Sequence, residues 1–272
     1  MNQRDDNRKI SGWLRMITYL LRHRAIGLFL FIGLLTTVVS SINPAFLSAQ
    51  NLRDIAVQAA PVCIISCGVM LVLVAGEIDI SVGSMMGVLA ASMGIMVSAS
   101  RAQLPPHVAI ALTLLIGIGM GLFNGLLVAY VGVPSIIVTL GMLTTLRGLT
   151  EIIMNGAWIT DLSEEIRFLG TGTILSIPLS LWTTACVLAV TMWLIHRTPI
   201  GRRIYATGSN PQAAQLAGLS IKSIKLFVFA WTGLLTAVAT LVSVPQLSVV
   251  DSGIGVGTEL LVVTCVVVGG VS

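Results

Sequence analysis

Long apolar runs separated by short polar stretches set the pattern of this chain. The runs lie at roughly Ala25–Ile42, Ile55–Ala75, Val82–Ala99, Pro106–Ala129, Ser135–Met154, Ile174–Ile195 and Ile224–Val244, and an eighth opens at Leu260. A helix needs about 20 apolar residues to span a bilayer. The pattern therefore predicts an all-α polytopic membrane protein with about eight transmembrane segments, the last incomplete. The thirteen residues Leu260–Ser272 would cover roughly 20 Å as helix, short of the ~30 Å hydrocarbon core. They would also leave terminal carbonyls inside lipid. The expectation is an incomplete chain, either a truncated gene product or a fragment.

Composition agrees with the pattern. Hydrophobic residues make up 56% of the 272 positions and charged residues 10%, against about 25% charged in soluble domains. The net charge of +4 sits at the edges of the apolar runs, which gives no nucleic-acid signal. Of the fifteen Lys and Arg, six precede Ala25 and five lie between His196 and Lys225, while Arg53, Arg101 and Arg167 fall on the opposite side of an alternating threading. Such a bias places the basic side in the cytoplasm. Residues 1–24 are then a cytoplasmic segment, with a weakly amphipathic stretch, Trp13–Leu21, along the surface. Residues 25–272 form the transmembrane domain, with 196–225 as a cytoplasmic loop. The acidic loop Asp161–Glu165 and Asp251 lie outside. Cys63, Cys67, Cys186 and Cys265 all fall in apolar runs without histidine partners, which reads as small buried side chains and neither a disulfide nor a metal site.

Three polar stretches stand out. The loop 196–225 carries Arg197, Arg202, Arg203, Lys222 and Lys225 and no acid. Asn210 can cap a short helix opening at Pro211, and Gly218 suits the left-handed residue that ends it. The string Gly76-Glu77-Ile78-Asp79-Ile80-Ser81-Val82-Gly83 puts two carboxylates into an apolar region. One reading is a helix broken at membrane depth, its next segment pointing N–H groups at a polar path. The other is a turn at the membrane edge with Asp79 or Ser81 capping the next helix. Gly117, Gly121 and Gly125 recur every four residues, as do Gly83 and Gly87, a spacing that lets helices touch closely in lipid. Arg147 and Glu151, four apart, are expected to pair on one helix face.

No catalytic set is visible. His23, His107 and His196 all sit at run edges, and none of the three lysines follows a glycine, which excludes a phosphate-binding P-loop. If ATP drives this protein, another chain hydrolyses it. A secondary transporter or channel, using Glu77, Asp79 and Glu259 as proton or ion sites, is the alternative. Neither reading calls for a cofactor.

Gln212-Ala213-Ala214, three residues and Gly218, preceded by Gly201-Arg202, Ala206-Thr207-Gly208 and Asn210, resembles the coupling loop of ATP-binding-cassette importer permeases, in the branch that imports ribose and related sugars. Gln212 stands where that loop usually has Glu. The string 76–83 resembles the branch's Gly-Gly-Ile-Asp-Leu-Ser-Val-Gly, with Glu77 replacing a glycine and Ile80 a leucine. The run Ile137–Gly148 and the segment Gly253–Ser272 also resemble that branch, although Leu261 stands where Asp usually follows the Glu-Leu pair. The resemblance covers Asn51 to the end. It implies a bacterial inner-membrane importer subunit for a sugar or a sugar-like solute such as autoinducer-2. An ATP-binding cassette subunit would grip the 196–225 loop. The other partners would be a periplasmic or lipid-anchored solute-binding protein and a second permease copy or paralogue, all within the lipid membrane.

Overall fold

A computed structural model describes residues 24–247 and 249–270. The expected basic segment, with Trp13–Leu21, lies outside the described residues but for Arg24. Two compact units divide at Ile55 and Ala56. The first holds helix α1 (Arg24–Ile42), a 3-10 turn (Pro44–Leu47) and the opening of helix α2 (Ala49–Val74). Most side chains of α1 from Phe29 onward are exposed and apolar, as suits a lipid-facing helix. Asn43 stops it by accepting the Ala45 N–H at 3.0 Å.

The second unit continues α2 and adds α3 (Val82–Val97), α4 (Pro106–Leu126) with a π turn to Val131, and α5 (Ser135–Met154). A short α6 (Glu164–Thr171) and a small hairpin of β1 (Thr173–Ile174) and β2 (Ile177–Pro178) follow, with Thr173 opposite Pro178. Then come α7 (Leu179–Arg197), α8 (Pro199–Ser209), α9 (Pro211–Leu216), α10 (Ile221–Ser243) with a 3-10 turn to Gln246, and α11 (Thr258–Val268). Each apolar run thus contains a helix. Among the described residues five helices are long and apolar enough to cross a membrane, and Phe29–Ile42, Val82–Val97 and Thr258–Val268 are shorter apolar helices. The chain is a polytopic membrane protein.

Three boundaries differ from the expected ones. The second run is helical from Ala49 rather than Ile55. The run read from Ile174 begins as a hairpin, because Leu175 and Ser176 both take positive φ, the geometry of a tight two-residue turn. Part of the acidic loop, Glu164 and Glu165, forms the first turn of α6, where carboxylates suit the positive end of the helix dipole. The four cysteines are free, and only Cys67 is buried. The other three are exposed, Cys63 and Cys265 along one cavity of about 270 Å³.

Helix α3 is the centre: every residue from Val82 to Ala91 is buried. Helices α4, α5 and α10 pack against it. Contact between α4 and α10 is nearly backbone to backbone. A Cβ at Gly117 would meet the Gly233 carbonyl and the Ala237 side chain, one at Gly121 would strike the Phe229 carbonyl, and one at Gly125 would fall 3.1 Å from the Leu226 Cα. Such small-residue faces let helices associate where no hydrophobic effect separates helix from lipid.

The connecting segments gather at two opposite ends. At one, Gly76 lies against Gly208, and the Ile78 N–H donates to Ser135 Oγ at 3.1 Å. At the other, Ser98 Oγ and the Ser100 N–H donate to the Asp161 carboxylate at 2.8 and 2.7 Å, and Ile159 pairs with Val250. Those donors, Ser100 and Ser98, hold the Asp161 carboxyl down at about 2. Alternate threading of the helices requires this grouping.

The glycine contacts generate a paired test. Gly121→Ala forces a methyl onto a backbone carbonyl and is expected to cost about 1–3 kcal/mol. At Gly119, two residues away, a methyl would have no neighbouring atom within 4 Å. Gly119→Ala should leave stability unchanged or raise it by up to about 1 kcal/mol through helix propensity. Thermal unfolding of the purified variants in detergent checks this. Equal melting temperatures would mean that the ladder does not make the contact.

Candidate translocation site

The break between α2 and α3 is where chemistry concentrates. Helix α2 ends at Val74, Gly76 takes φ +82°, and residues 77–81 have no regular structure. Backbone groups freed inside a membrane need partners within the protein, and here they have them. The Glu77 N–H donates to the Val72 carbonyl at 3.0 Å, and the Ile78 carbonyl accepts from Thr139 Oγ1 at 3.4 Å. The Ser81 N–H donates to Asp79 Oδ1 at 2.9 Å. Asp79 therefore acts as the local cap, whereas the Ser81 side chain makes no capping bond. Instead Ser81 Oγ donates to Asp79 Oδ1 at 2.7 Å and accepts from Asn124 Nδ2 at 2.9 Å.

The turn lies toward the end of the bundle where α10 begins, since Glu77 pairs with Lys225 and Ser81 meets Asn124, whose neighbour Gly125 packs on Leu226. Val82, which follows the turn, is buried in an apolar cluster that includes Val69 and Leu235. Asp79, Ser81 and Asn124 are fully buried. Asp79 Oδ2 and Asn124 Oδ1 have no hydrogen-bond partner. A buried unpaired acceptor is costly, which marks the spot as one suited to receiving donors.

A second irregular segment reaches the same place from the opposite end. Gly94 of α3 faces Val250 and Ile159, Gly87 faces the Ile254 carbonyl, and Gly83 faces the Gly255 carbonyl and Glu259. Residues 250–259 thus run along α3 over eleven helical residues, roughly 16 Å, before α11 begins. Arg147 holds this segment, donating through Nη1 to the Ile254 carbonyl at 3.0 Å and the Ser252 carbonyl at 3.3 Å. The expected pair with Glu151 does not form: Glu151 is exposed, while the guanidinium turns inward to carbonyls that no helix satisfies. Glu259 ends up with Oε1 accepting the Gly257 N–H at 3.3 Å and Oε2 buried without a partner beside Gly83. The first turn of α3 thus has Asp79 at its start and Glu259 against its side, and the helix dipole favours both charges.

Of the sequence-predicted candidates, Asp79 and Ser81 are hydrogen-bonded to each other, Glu259 lies against Gly83 two residues further on, and Glu77 turns away. Its carboxylate forms an ion pair with Lys225 on the first turn of α10. Asn124 joins the site without having been expected there; an amide in an otherwise apolar helix among glycines is the signal that points to it.

The loop 196–225 is two helices rather than one. Thr198 caps α8 by accepting the Gly201 N–H at 3.3 Å, and Asn210 caps α9 by accepting the Ala213 N–H at 2.9 Å. Gly218 takes φ +81°, the left-handed conformation only glycine adopts without strain. Its N–H and that of Leu219 close the helix end on the Gln215 and Ala214 carbonyls. Gly201 packs on the Ile195 carbonyl, and Gly208 on that of Val74 at the end of α2. Ala214 is buried, whereas Arg202, Gln212, Ala213 and Gly218 are exposed and Leu216 stands 90% exposed.

Comparison with known proteins places this arrangement. Residues 51–272 match the family described as branched-chain amino acid transport system / permease component. The chain is 39% identical over 248 residues to the ribose import permease protein of Haemophilus influenzae, covering 90% of this chain and 76% of that protein. It is 33% identical over 257 residues to the autoinducer 2 import system permease protein of Escherichia coli K12, covering 94% and 74%. The corresponding protein of Photorhabdus laumondii is 32% identical, with 94% and 76% covered. No solved structure matches. The chain belongs to this family of permease components and is a membrane subunit of an ATP-binding-cassette importer.

Proposed function

We propose that this permease carries a sugar or sugar-like solute across the bacterial cytoplasmic membrane past the start of α3. The observation that carries the reading is the polar set around the start of α3, with Asp79, Ser81 and Asn124 in one hydrogen-bonded chain, Glu259 against Gly83, and three of their oxygens buried and unpaired. A polyhydroxylated solute brings donors for such acceptors. An amino acid would also need a cation for its carboxylate, and Arg147 is already engaged with two carbonyls. The relatives named for ribose and autoinducer 2 favour the same class.

In this reading the eight helical runs all traverse the membrane or enter it, with the N-terminus and the 196–225 loop in the cytoplasm. An ATP-binding cassette subunit grips the loop through Arg202, Asn210, Gln212, Ala213 and Gly218, with Leu216 as an exposed apolar anchor, while Gly201, expected in the same surface, is buried on the Ile195 carbonyl. Ala214 is the inward half of the same small-residue pair. A solute-binding protein delivers from outside, and a second permease copy or paralogue completes the path. Closure of the ATPases pushes α8 and α9, and Gly208 on the Val74 carbonyl conveys the push to the helix break.

Uptake of radiolabelled ribose by proteoliposomes containing the assembled importer tests this. Uptake should require ATP on the loop side and survive a protonophore. Uptake without ATP that collapses with the proton gradient would indicate a secondary transporter instead. Gly218→Trp should leave insertion intact, since strain at this position costs about 1 kcal/mol, while abolishing ATP-driven uptake. Asp79→Asn keeps an oxygen to cap Ser81 but loses the charge. A hydrogen bond to a charged group contributes about 1.5–3 kcal/mol, so transport should fall at least about tenfold at normal expression. Unchanged transport would make Asp79 a cap and nothing more.

A further inference from the structure

We propose that Glu77 and Lys225 form an electrostatic latch that positions the helix break according to the state of the 196–225 loop; the proposal rests on the coupling-loop reading. Glu77 stands where the related string has glycine, so the latch is a feature of this chain and is not written into the string it resembles. Among the described residues it makes the one ion pair that meets a salt-bridge distance, and the partner is the last residue of the loop. The side chains are 11% and 26% exposed for Glu77 and Lys225, so solvent screens the pair less than it screens a surface pair. Loss of one partner leaves the other charge poorly solvated.

The latch adds a charged link to elements that also share buried apolar side chains, Leu71, Val72 and Ala75 with Ile224, Val228 and Phe229. Glu77 is two residues from Asp79, and between them Ile78 is strapped to α5 through Ser135 and Thr139. Lys225 is the fifth residue of α10, which packs further along on the glycine face of α4. A cavity of about 530 Å³ borders the pair, lined also by Val133, Pro134, Gln215, Leu219 and Lys222. Lys222 does not compete for Glu77, because its ammonium lies over the Tyr130 ring, 5.5 Å from the centroid. The cavity gives the Lys225 amine a second place to go. Motion of α9 and of the Leu219–Ser220 link therefore breaks or remakes the pair, and the residue beside Asp79 follows. Glu77 and Lys225 are positioning residues: neither is placed against the solute.

Two readouts test the latch. The first uses the purified full chain, cysteine-free except for Val133→Cys in the cavity, and measures its labelling rate with a charged maleimide. Glu77→Gln, Glu77→Gly and Lys225→Gln should each speed labelling several-fold, and the exchanged pair Glu77→Lys with Lys225→Glu should restore the slow rate. The second uses the importer assembled with its ATPase and binding protein. Each single variant should keep ATP hydrolysis but move several-fold less ribose per ATP, and the exchanged pair should recover most of that ratio. A merely structural contact would lower both activities together. Equal labelling in all variants, or an exchanged pair no better than the singles, overturns the latch. An ATPase that fails to bind the unaltered chain would instead sink the coupling-loop reading, and the labelling series would still decide whether the pair controls the break.

Discussion

A backbone that leaves the helix inside a membrane must find its hydrogen bonds within the protein, and this constraint organises the polar side chains between the central helices. Ser135 and Thr139 serve the freed groups of Ile78, Asp79 serves Ser81, and Arg147 serves the carbonyls of Ser252 and Ile254. Once these demands are met, what remains is informative. Asp79 Oδ2, Asn124 Oδ1 and Glu259 Oε2 are left over, all near the first turn of α3. The backbone does not need them.

Close approach of backbones is what makes the arrangement mechanically useful. Where Gly121 meets the Phe229 carbonyl and Gly208 meets that of Val74, no flexible side chain stands between one element and the next to absorb a displacement. Tightly packed interfaces transmit strain and do not deform smoothly. In the proposed coupling, a push on α8 and α9 would reach α2, and through α2 the break, with little loss. The buried apolar cluster of Leu71, Val72, Ala75, Leu194, Ile195 and Ile204 holds the same elements together from the side.

Much of this was legible in the sequence, because membrane helices announce themselves by length and polarity alone. The caps were legible too: Asn210 before Pro211 and Gly218 after Leu216 act through local chemistry, and both take the geometry expected of them. What could not be read depends on which elements lie side by side. Arg147 and Glu151 have ideal spacing for a pair, yet buried carbonyls a hundred residues away outcompete an exposed carboxylate. Glu259 belongs with Asp79 only because residues 250–259 descend along α3. Glu77 and Asp79, two apart in one string, part company because consecutive turns of an irregular segment face different neighbours. Position alone says nothing of these.

The central claim is that the exposed face of α8 and α9 is where an ATPase grips the permease. A photo-crosslinking amino acid at Ala213, in membranes containing the assembled importer, tests it most directly, with the exposed Leu175 at the opposite end as the control position. The account predicts that irradiation joins Ala213 to an ATP-binding cassette subunit, identified by mass spectrometry, and that position 175 gives no such adduct. Adducts at Ala213 with lipid alone, in an importer that transports, would contradict it.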